Sequence, residues 1–443
     1  MIPTVLTIAG SDSGGGAGIQ ADLQAIAALQ CHGATAITAV TSQNTLGVLD
    51  MHVMPATVVR SQIDAVMEDL RPRAVKTGML ASAVIVRAVA EAMERHGVKS
   101  LVVDPVLRST SGAVLLDEEG QAELVRTLLP RARVVTPNLA EAEVLSGIPV
   151  SDLASMREAA RILLKKGPEA VLVTGGHLEG PPVDLLVDGK GALELSSERV
   201  ERHRPHGAGC ALSAALAAGL ARGLSVREAA RAAKDLVVRA MEVTGPVGEG
   251  LAPVRPLGAA LHDAERRAVL GSLVEAMALL SGRGAPALLP EVRSNLVYAL
   301  PRASSHEEVA GFPGRLLELS GHIASVAPPA FSASRHIASV VLSAMRIDPG
   351  CRACLNIRYT DDVEERARAR GLTTATFDRK DEPTGVRTRE GSSLEWGTSR
   401  ALEGRTTVPD LVHDPGGFGK EAMTRVLGRT PQEVVEKALR LFE

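Results

Sequence analysis

The sequence is poor in aromatic residues and in cysteine, which excludes an aromatic core and a disulfide-rich fold. One Trp, two Tyr and five Phe in 443 residues mean that Ala, Val, Leu and Met must fill the cores. Four scattered cysteines are too few for the disulfide framework of a small secreted protein. Cys351 and Cys354 form a CxxC pair, but no second pair supplies further zinc ligands. We interpret this pair as structural and leave a local disulfide open.

The sequence also lacks a charge excess and a long apolar run. With a net charge of −3 it has no basic footprint, so we expect no nucleic-acid partner. No apolar run reaches the roughly 18 residues of a membrane span, and the first residues do not resemble a signal peptide. We therefore expect a cytoplasmic protein that uses small-molecule substrates, binds no membrane and forms a homodimer.

The length indicates more than one domain, since domains commonly hold about 100–200 residues. A passage rich in Pro and Gly occupies residues 244–256, and an amphipathic helical pattern resumes over residues 263–280. We predict two domains, at residues 1–258 and 263–443.

The first domain alternates short apolar runs with longer helical segments, as βαβ units require. The predicted strands are residues 5–9, 36–41, 74–77, 101–103, 134–136 and 170–173. The predicted helices are residues 18–29, 57–69, 82–96, 118–128, 139–146, 153–166, 208–221 and 225–243. Only residues 183–187 and 192–195 have the pattern of a hairpin. The fold class is therefore α/β, a doubly wound and mostly parallel sheet that binds ligands at the carboxyl ends of its strands.

Two glycines, Gly207 and Gly209, precede a run of small helix-favouring residues. A loop that leads into a helix N-terminus binds anions, because its N–H groups are unpaired and glycine lets the backbone approach a phosphate. Cys210 would lie in the first helical turn, where the helix dipole favours a thiolate that could accept a proton. The alternative is a glycine turn before a buried, Ala-rich helix.

Polar and glycine residues follow the other predicted strands as well. The glycine loop over residues 10–18 matches neither the dinucleotide motif nor the P-loop, so it is either a second anion site or a lid. The Gln43 amide could pair with a planar heterocycle or simply be hydrated. Comparable segments lie at residues 76–79, 104–106, 136–141 and 174–177.

Seven segments in order are TIAGSDSGGGAGIQADLQ, TSQNTLGV, KTGML, VVDPV, TPNLAEAEVL, VLVTGGH and HGAGCALSAALAA. Together they resemble the hydroxymethylpyrimidine and phosphomethylpyrimidine kinases of thiamine synthesis, members of the ribokinase-like superfamily. The resemblance covers roughly residues 1–250. It implies two successive phosphorylations with ATP and Mg²⁺, first of 4-amino-5-hydroxymethyl-2-methylpyrimidine and then of its monophosphate.

The resemblance assigns a catalytic role to the loop that contains Gly207, Ala208, Gly209 and Cys210. The loop would form an anion hole around the transferred phosphoryl group, with Cys210 in the position of a base. Ribokinase relatives usually have aspartate there, a better base at neutral pH, so positioning and charge stabilisation would carry most of the acceleration.

The remaining kinase roles are also carried over from the resemblance. Gln43 would hydrogen-bond the aminopyrimidine. Asn138 and Glu141 would hold Mg²⁺ through water, and Asn138 would also cap the next helix. Thr174 would contact the nucleotide where many members have lysine, and Ala208 replaces a threonine, so both departures bear on nucleotide affinity. The other predicted pyrimidine-site residues are Gly10, Asp22, Met79 and Val106.

The second domain again mixes strands and helices, and we predict a separate α/β unit. The predicted strands are residues 296–299, 323–327, 355–358, 374–377 and 410–413, and the predicted helices are residues 334–345, 361–370 and 431–442. Arginines and a lysine stand beside glycines in segments 293–295, 314–315, 334–336, 356–358, 378–380 and 416–420. Such groups suit an anionic ligand such as pyrophosphate, although scattered surface cations would look the same.

Seven further segments are PEVRSNLVYAL, GFPGRLLEL, SRHIASVVLSAMR, LNIRY, FDRKDEP, EGSSLEWGT and VLGRTPQEVVEKAL. They resemble the thiamine-phosphate synthase domain that is fused behind this kinase in many archaea. The resemblance implies condensation of the pyrimidine diphosphate with thiazole phosphate, giving thiamine phosphate and pyrophosphate. It implies catalytic roles for Arg315 and His336 and phosphate binding by Arg335, Asn356 and Lys420. His336 could instead be a structural histidine.

Two alternatives stay open. The first domain could be a pyridoxal-type kinase, against which the Gln43 loop argues. The second could be a thiamine-ligand sensor without catalytic activity, but no helix-turn-helix or basic recognition segment accompanies it.

Overall fold

The computed structural model describes residues 1–109, 112–176, 178–200, 205–283, 286–383, 392–417 and 419–442. These residues divide into two units, Met1–His262 and Asp263–Glu443. His177 and Phe418, which belong to two of the polar segments, lie outside the described residues. Among the helices that are described, none combines the length and apolarity needed to cross a membrane.

A nine-stranded sheet organises unit 1. Its strands are β1 (Thr4–Asp12), β2 (His32–Asn44), β3 (Gly47–Val53), β4 (Ala74–Thr77), β5 (Leu101–Val103), β6 (Val134–Val135), β7 (Ala170–Val173), β8 (Val183–Asp188) and β9 (Gly191–Ser196). The order is β3-β2-β1-β4-β5-β6-β7-β8-β9, parallel from β2 to β7 and antiparallel at both edges. The predicted doubly wound, mostly parallel sheet is confirmed.

Helices cover both faces of this sheet. They are α1 (Gly18–Ala28), α2 (Ala56–Asp69), α3 (Ala83–Arg95), α4 (Glu118–Glu123), α5 (Leu139–Ser146), α6 (Leu153–Leu164), α7 (Ala208–Ala221) and α8 (Val226–Glu242). Because strand side chains alternate, Val5 packs with α1, α7 and α8 while Leu6 packs with α2 and α3. Helix α7 is buried and rich in Ala, so small side chains fill this core where aromatic residues are scarce.

One expectation for unit 1 was wrong. The predicted helix over residues 118–128 is present, as an α-helix to Glu123 and a π-helical turn over Leu124–Leu128. The predicted hairpin forms as β8 and β9, but it is not the only one, since β2 and β3 also pair in antiparallel fashion. Strand β3 is largely exposed and therefore lacks an apolar run. Two short strands, β10 (Pro205–His206) and β11 (Ala252–Pro253), pair with each other.

Unit 2 contains a seven-stranded sheet of order β16-β13-β12-β17-β20-β19-β18 and a separate β14–β15 hairpin. The strands are β12 (Leu296–Ala299), β13 (Val309–Gly311), β14 (Leu316–Leu319), β15 (His322–Ser325), β16 (Ala330–Phe331), β17 (Ala353–Arg358), β18 (Thr374–Thr376), β19 (Leu411–Asp414) and β20 (Met423–Gly428). All pairs are antiparallel except β18 with β19. The predicted second α/β unit is present.

The helices of unit 2 are α10 (Arg335–Met345), α11 (Val363–Ala369), α12 (Ser392–Leu402) and α13 (Pro431–Phe442). Helix α9 (Pro256–Arg283) contains the predicted helix over residues 263–280, and the division between the units falls within it. The sequence did not predict β13, β14, β16, β20 or α12. Cys351 and Cys354 are buried free thiols, so the disulfide left open does not form.

Candidate active sites

The two glycine segments singled out in the sequence meet above the strand ends of unit 1. Gly207 has φ +81°, and a Cβ there would lie 1.9 Å from the Gly16 carbonyl oxygen. Gly18 has φ +55°, and its Cβ would lie 2.3 Å from the Gly10 carbonyl oxygen. Since only glycine accepts both the conformation and the contact, the loops pack backbone against backbone.

Asp12, at the end of β1, folds the first of these loops. Its carboxylate accepts the N–H groups of Gly14 at 2.8 Å, Gly16 at 3.0 Å and Ala17 at 2.8 Å. Burial opposes ionisation, but the nearby His206 and hydrogen bonds from these backbone groups hold the pKa of Asp12 below its usual range. The loop is therefore built around an ionised carboxylate.

Helix α7 begins directly after Gly207 and has no side-chain cap. The first N–H with an acceptor inside the helix is that of Ala211, which donates to the Gly207 carbonyl at 3.0 Å. The N–H groups of Ala208, Gly209 and Cys210 precede it and lack an intrahelical acceptor, as at every helix start. These N–H groups form the positive end of the helix dipole, which faces the space above the strands and can bind an anion.

A row of buried charges lies beneath this helix start. Lys76 Nζ is 2.9 Å from Asp22 Oδ2 and 4.0 Å from Asp104 Oδ2, and the Lys76 and Asp22 side chains are fully buried. Thr7 donates to Asp22 at 2.6 Å, and Ser213 on α7 donates to Asp104 at 2.9 Å. We call Asp22, Lys76 and Asp104 the lysine cluster. It links β1, α1, β4, β5 and α7.

The lysine cluster contains two carboxyl groups and one ammonium group. Burial raises the pKa of both carboxyl groups despite the attraction of Lys76. Burial acts against the Lys76 ammonium as well, but Asp22, Cys210 and Asp104 together raise its pKa, so the ammonium stays protonated.

Cys210 does not have the ionisation that its place in the helix predicts. Burial raises the pKa of its thiol to about 12, although Lys76 and a hydrogen bond from the Gly18 N–H act in the opposite direction. The expectation of a favoured thiolate is therefore wrong, because desolvation outweighs the helix dipole.

Gln43 lies beside the glycine loops, as the pyrimidine role requires, but its amide already has partners. Gln43 Nε2 is 3.2 Å from His206 Nε2, and Gln43 Oε1 accepts from Thr41 at 3.3 Å. His206 Nε2 is in turn 3.9 Å from Asp12 Oδ2. A heterocycle bound by Gln43 would have to share or replace the His206 contact.

Met79 and Val106 form part of an apolar wall. Met79, Ala39 and Leu115 are buried together, and Val106 packs against them. A Cβ at Gly10 would lie 3.1 Å from the Met79 sulfur, so Gly10 leaves room for that side chain.

Asn138, Glu141 and Thr174 are neighbours at the ends of β6 and β7. Asn138 caps α5 in a capping box, where Glu141 N–H donates to Asn138 Oδ1 and Asn138 N–H donates to Glu141 Oε2, both at 2.9 Å. Asn138 also forms a bridge with Thr174. Burial, and then the nearby charge of Asp104, raise the pKa of Glu141 to about 8. A cation bound here would favour the ionised carboxylate.

In unit 2 the predicted residues occupy two different places. Strands β13, β17 and β19 run in one direction. Arg315 lies in the turn after β13, where it is exposed and has φ +68°. Its guanidinium group donates a hydrogen bond to the Val292 carbonyl. Arg335 and His336 open α10 after β16, which runs the opposite way, and both are exposed. Among the described residues, no hydrogen bond or ion pair joins Arg315 to His336.

Asn356 is not placed as a free phosphate ligand. It is buried on β17, its Oδ1 accepts the Asn295 N–H at 2.7 Å, and its Nδ2 donates to the Arg293 carbonyl at 3.1 Å. Both ends of the amide therefore hold the chain before β12. Lys420 is exposed and donates to Glu382 Oε2 at 3.3 Å and to Ser393 Oγ at 2.9 Å.

The sequence assigned no role to Lys76, Asp104 or His206, although all three lie in segments that carry the family resemblance. A signal for Lys76 was present: a lysine inside a predicted buried strand must have buried partners, because an unpaired charge there is costly.

Solved structures with a similar fold are kinases. The ADP complex of Bacillus subtilis pyridoxal kinase aligns with a TM-score of 0.55 and 35% identity over 59% of this chain and 99% of that one. Phosphomethylpyrimidine kinase from Clostridium difficile 630 aligns with a TM-score of 0.50 and 40% identity over 54% and 100% of the chains. Unit 1 thus has the fold of a ribokinase-like kinase.

The family model of phosphomethylpyrimidine kinase matches residues 12–255, and the model of thiamine-phosphate synthase ThiN matches residues 272–440. The hydroxymethylpyrimidine/phosphomethylpyrimidine kinase of Rhizobium meliloti is 46% identical over 258 residues, which are 57% of this chain and 97% of that protein. The chain belongs to the phosphomethylpyrimidine kinase family and carries a ThiN domain behind the kinase.

Proposed function

We propose that residues 1–258 phosphorylate 4-amino-5-hydroxymethyl-2-methylpyrimidine and then its monophosphate, and that residues 263–443 join the diphosphate to thiazole phosphate. The products are thiamine phosphate and pyrophosphate. The observation that carries the kinase assignment is the uncapped start of α7, held against the first glycine loop above the strand ends. The two family matches in one chain support consecutive steps of thiamine synthesis.

In the kinase, the N–H groups of Ala208, Gly209 and Cys210 would stabilise charge on the transferred phosphoryl group. Phosphoryl transfer passes through a loose transition state, so positioning and charge stabilisation matter more than removal of a proton. A thiol with a pKa of about 12 is protonated at neutral pH and can donate a weak hydrogen bond. Cys210 therefore fits a positioning role better than that of a base.

ATP and Mg²⁺ are the proposed co-substrate and cofactor. No three His, Cys, Asp or Glu side chains converge as a metal-binding group within the described ranges, and the capping box already uses Asn138 Oδ1 and Glu141 Oε2. These residues fit an ion held through water, with phosphate oxygens as direct ligands. Bound Mg²⁺ would neutralise phosphate charge. Thr174 would lie at the nucleotide without supplying a positive charge.

Gly207→Ala tests the anion site. We expect kinase kcat/KM to fall at least about a hundredfold, because the new methyl group meets the Gly16 carbonyl and displaces the helix start by an ångström or more. Gly223→Ala is the matched control: Gly223 has φ +90° after the same helix, and a Cβ there meets nothing within 4 Å. It should lower stability by about 1 kcal/mol and leave turnover intact. Equal activity of the two variants would contradict the site.

The complete reaction tests the whole proposal. Purified chain receives hydroxymethylpyrimidine, MgATP and thiazole phosphate, and the products are followed by mass spectrometry. Thiamine phosphate is the expected product. Pyrimidine diphosphate without thiamine phosphate would remove the synthase assignment and spare the kinase.

A pyridoxal kinase activity is the second candidate, because a pyridoxal kinase shares the fold at 35% identity. Parallel assays with pyridoxal and hydroxymethylpyrimidine decide between them, and we expect the pyrimidine to have the higher kcat/KM. The homodimer, the cytoplasmic location and the roles of Arg315, His336 and Arg335 stay predictions. Handing the diphosphate directly from kinase to synthase is a further hypothesis, which fails if separately expressed domains match the intact chain without a longer lag.

A further inference from the structure

A second group of buried charges lies in unit 2, at the carboxyl ends of β18 and β19. The Asp414 carboxylate accepts from Arg379 Nε at 2.5 Å and Nη2 at 3.2 Å, from the Gly416 N–H at 3.0 Å and from Arg425 Nη1 at 2.8 Å. The side chains of Asp414 and Arg425 are 0% and 1% exposed, and that of Arg379 is 10% exposed. We call Arg379, Asp414 and Arg425 the arginine cluster.

The arginine cluster has one more positive charge than its carboxylate neutralises. Four donors occupy Asp414, and a carboxylate offers about four lone-pair sites, so it cannot accept more. The neighbouring pair of Lys420 with the buried Glu382 adds no net charge. Both guanidinium groups share Asp414 and lie near the Phe377 ring, at 5.8 Å for Arg379 and 5.5 Å for Arg425. Burying two cations against one carboxylate is costly. The excess charge indicates an anionic ligand.

An unpartnered donor and closely approaching glycine backbone are present at the cluster. Arg425 Nε is buried and has no partner within the part of the chain that the structure describes. Gly416 has φ +80°, where a Cβ would lie 2.7 Å from the Ala422 nitrogen, and a Cβ at Gly417 would lie 3.7 Å from Arg379 Cβ. Glycine backbone thus approaches the Arg379 side chain. Guanidinium groups bind phosphate oxygens through paired N–H groups, and glycine lets a phosphate come close.

We propose that the arginine cluster binds a phosphate or diphosphate group of a substrate of unit 2. Arg425 and Arg379 are the donors, and Asp414 is the clamp that fixes the planes of both guanidinium groups. The identity of the ligand rests on the proposed synthase function, because both substrates of that reaction carry phosphate. The charge excess itself does not depend on that assignment.

The test is binding of inorganic pyrophosphate to the full chain by calorimetry, with saturating ADP to occupy the kinase. Arg379→Gln should weaken binding at least about tenfold, since it removes charge-assisted hydrogen bonds. Lys380→Gln is the matched control, because it removes the same charge from the next residue, whose side chain is 90% exposed; its affinity should stay within about twofold of wild type, as expected for an exposed charge. Arg379→Lys should recover part of the loss. A parallel titration with orthophosphate distinguishes a monophosphate from a diphosphate site.

The condensation assay supplies an independent readout. Arg379→Gln should raise the KM for whichever substrate places its phosphate at the cluster and leave kinase turnover unchanged. Unchanged pyrophosphate affinity in folded Arg379→Gln or Arg379→Lys protein overturns the proposal. If the wild-type chain makes no thiamine phosphate but Arg379→Gln still loses pyrophosphate binding, the synthase assignment fails and the anion site stands.

Discussion

Both units bury charged side chains at the carboxyl ends of their strands, but in opposite proportions. In the lysine cluster of unit 1, one ammonium lies between two carboxylates. In the arginine cluster of unit 2, two guanidinium groups share one carboxylate. The cluster beneath the start of α7 is thus rich in carboxyl groups, whereas the cluster of unit 2 is rich in guanidinium groups.

The difference matches two ways of handling phosphate. Backbone N–H groups at a helix start stabilise a phosphoryl group without binding it permanently, which suits a group that is passed on. Paired arginines bind a phosphate as a fixed anchor, which suits a group that is held while another bond changes. The two clusters thus make opposite predictions about what removing one cation does to the fold.

The largest expected effect comes from Lys76→Met compared with Arg425→Met. Lys76→Met leaves two buried carboxylates without a cation and should cost about 3–5 kcal/mol. Arg425→Met leaves a neutral Asp414–Arg379 pair and should cost no more than about 2 kcal/mol, as expected for lost charge-assisted hydrogen bonds. Hydrogen exchange followed by mass spectrometry, in phosphate-free buffer, reports the local free energy of opening in each unit. If both variants lose the same free energy of opening, the two clusters do not differ in their charge balance.

A smaller effect concerns Glu141, which faces the lysine cluster. Because its pKa is raised to about 8 from 4.5, the folded chain keeps a proton that the unfolded chain releases. Its contribution to stability is therefore full below pH 4.5 and falls as the pH rises toward 8. The Glu141→Gln variant keeps a residue that can complete the capping box, but its side-chain amide does not titrate.

We expect wild type to lose at least about 1 kcal/mol relative to Glu141→Gln between pH 5 and pH 8 in EDTA. Denaturant unfolding of unit 1 measures this difference. MgATP should reduce it, because a nearby cation favours the charged carboxylate. Parallel pH profiles of the two proteins in EDTA would contradict the raised pKa.

The smallest expected effect is that of Cys210→Ala and Cys210→Ser. A thiol with a pKa near 12 contributes little thiolate at neutral pH, so both variants should keep kcat within about tenfold of wild type, below the 10²–10⁴ typical of a lost general base. Steady-state kinase assays from pH 6 to pH 9 measure this. A loss of about a hundredfold or more in both variants would show that a proton-accepting thiol is needed here.

Much of unit 1 could be predicted from the sequence, because its parallel strands are continuous apolar runs. The strands at Ala74–Thr77 and Ala170–Val173 lie where the pattern placed them. The helix start at Ala208 was also predicted, since two glycines mark it. The ionisation of Cys210 was not, because its local position favours a thiolate while tertiary burial, which the sequence does not display, disfavours it.

Unit 2 was harder to predict because its strands do not follow a simple period. Strand β20 has Arg425 in its centre, and a charged residue there contradicts a buried strand until Asp414 is placed beside it. Short strands such as Val309–Gly311 hold too few residues to form a pattern. Asn356 was assigned to phosphate binding from the family resemblance, and the sequence does not display the burial and backbone partners of its amide.

The contact between Gly207 and the Gly16 carbonyl also limits how the kinase can admit its substrates. No side chain separates the two segments there, so main-chain atoms of the first glycine loop and of the start of α7 form one rim. Such a rim would select substrates by size, because a molecule binds only if it fits between the two backbone segments. Selectivity for a small pyrimidine alcohol would then depend on the spacing of main-chain atoms, which side-chain substitutions elsewhere in the pocket leave unchanged.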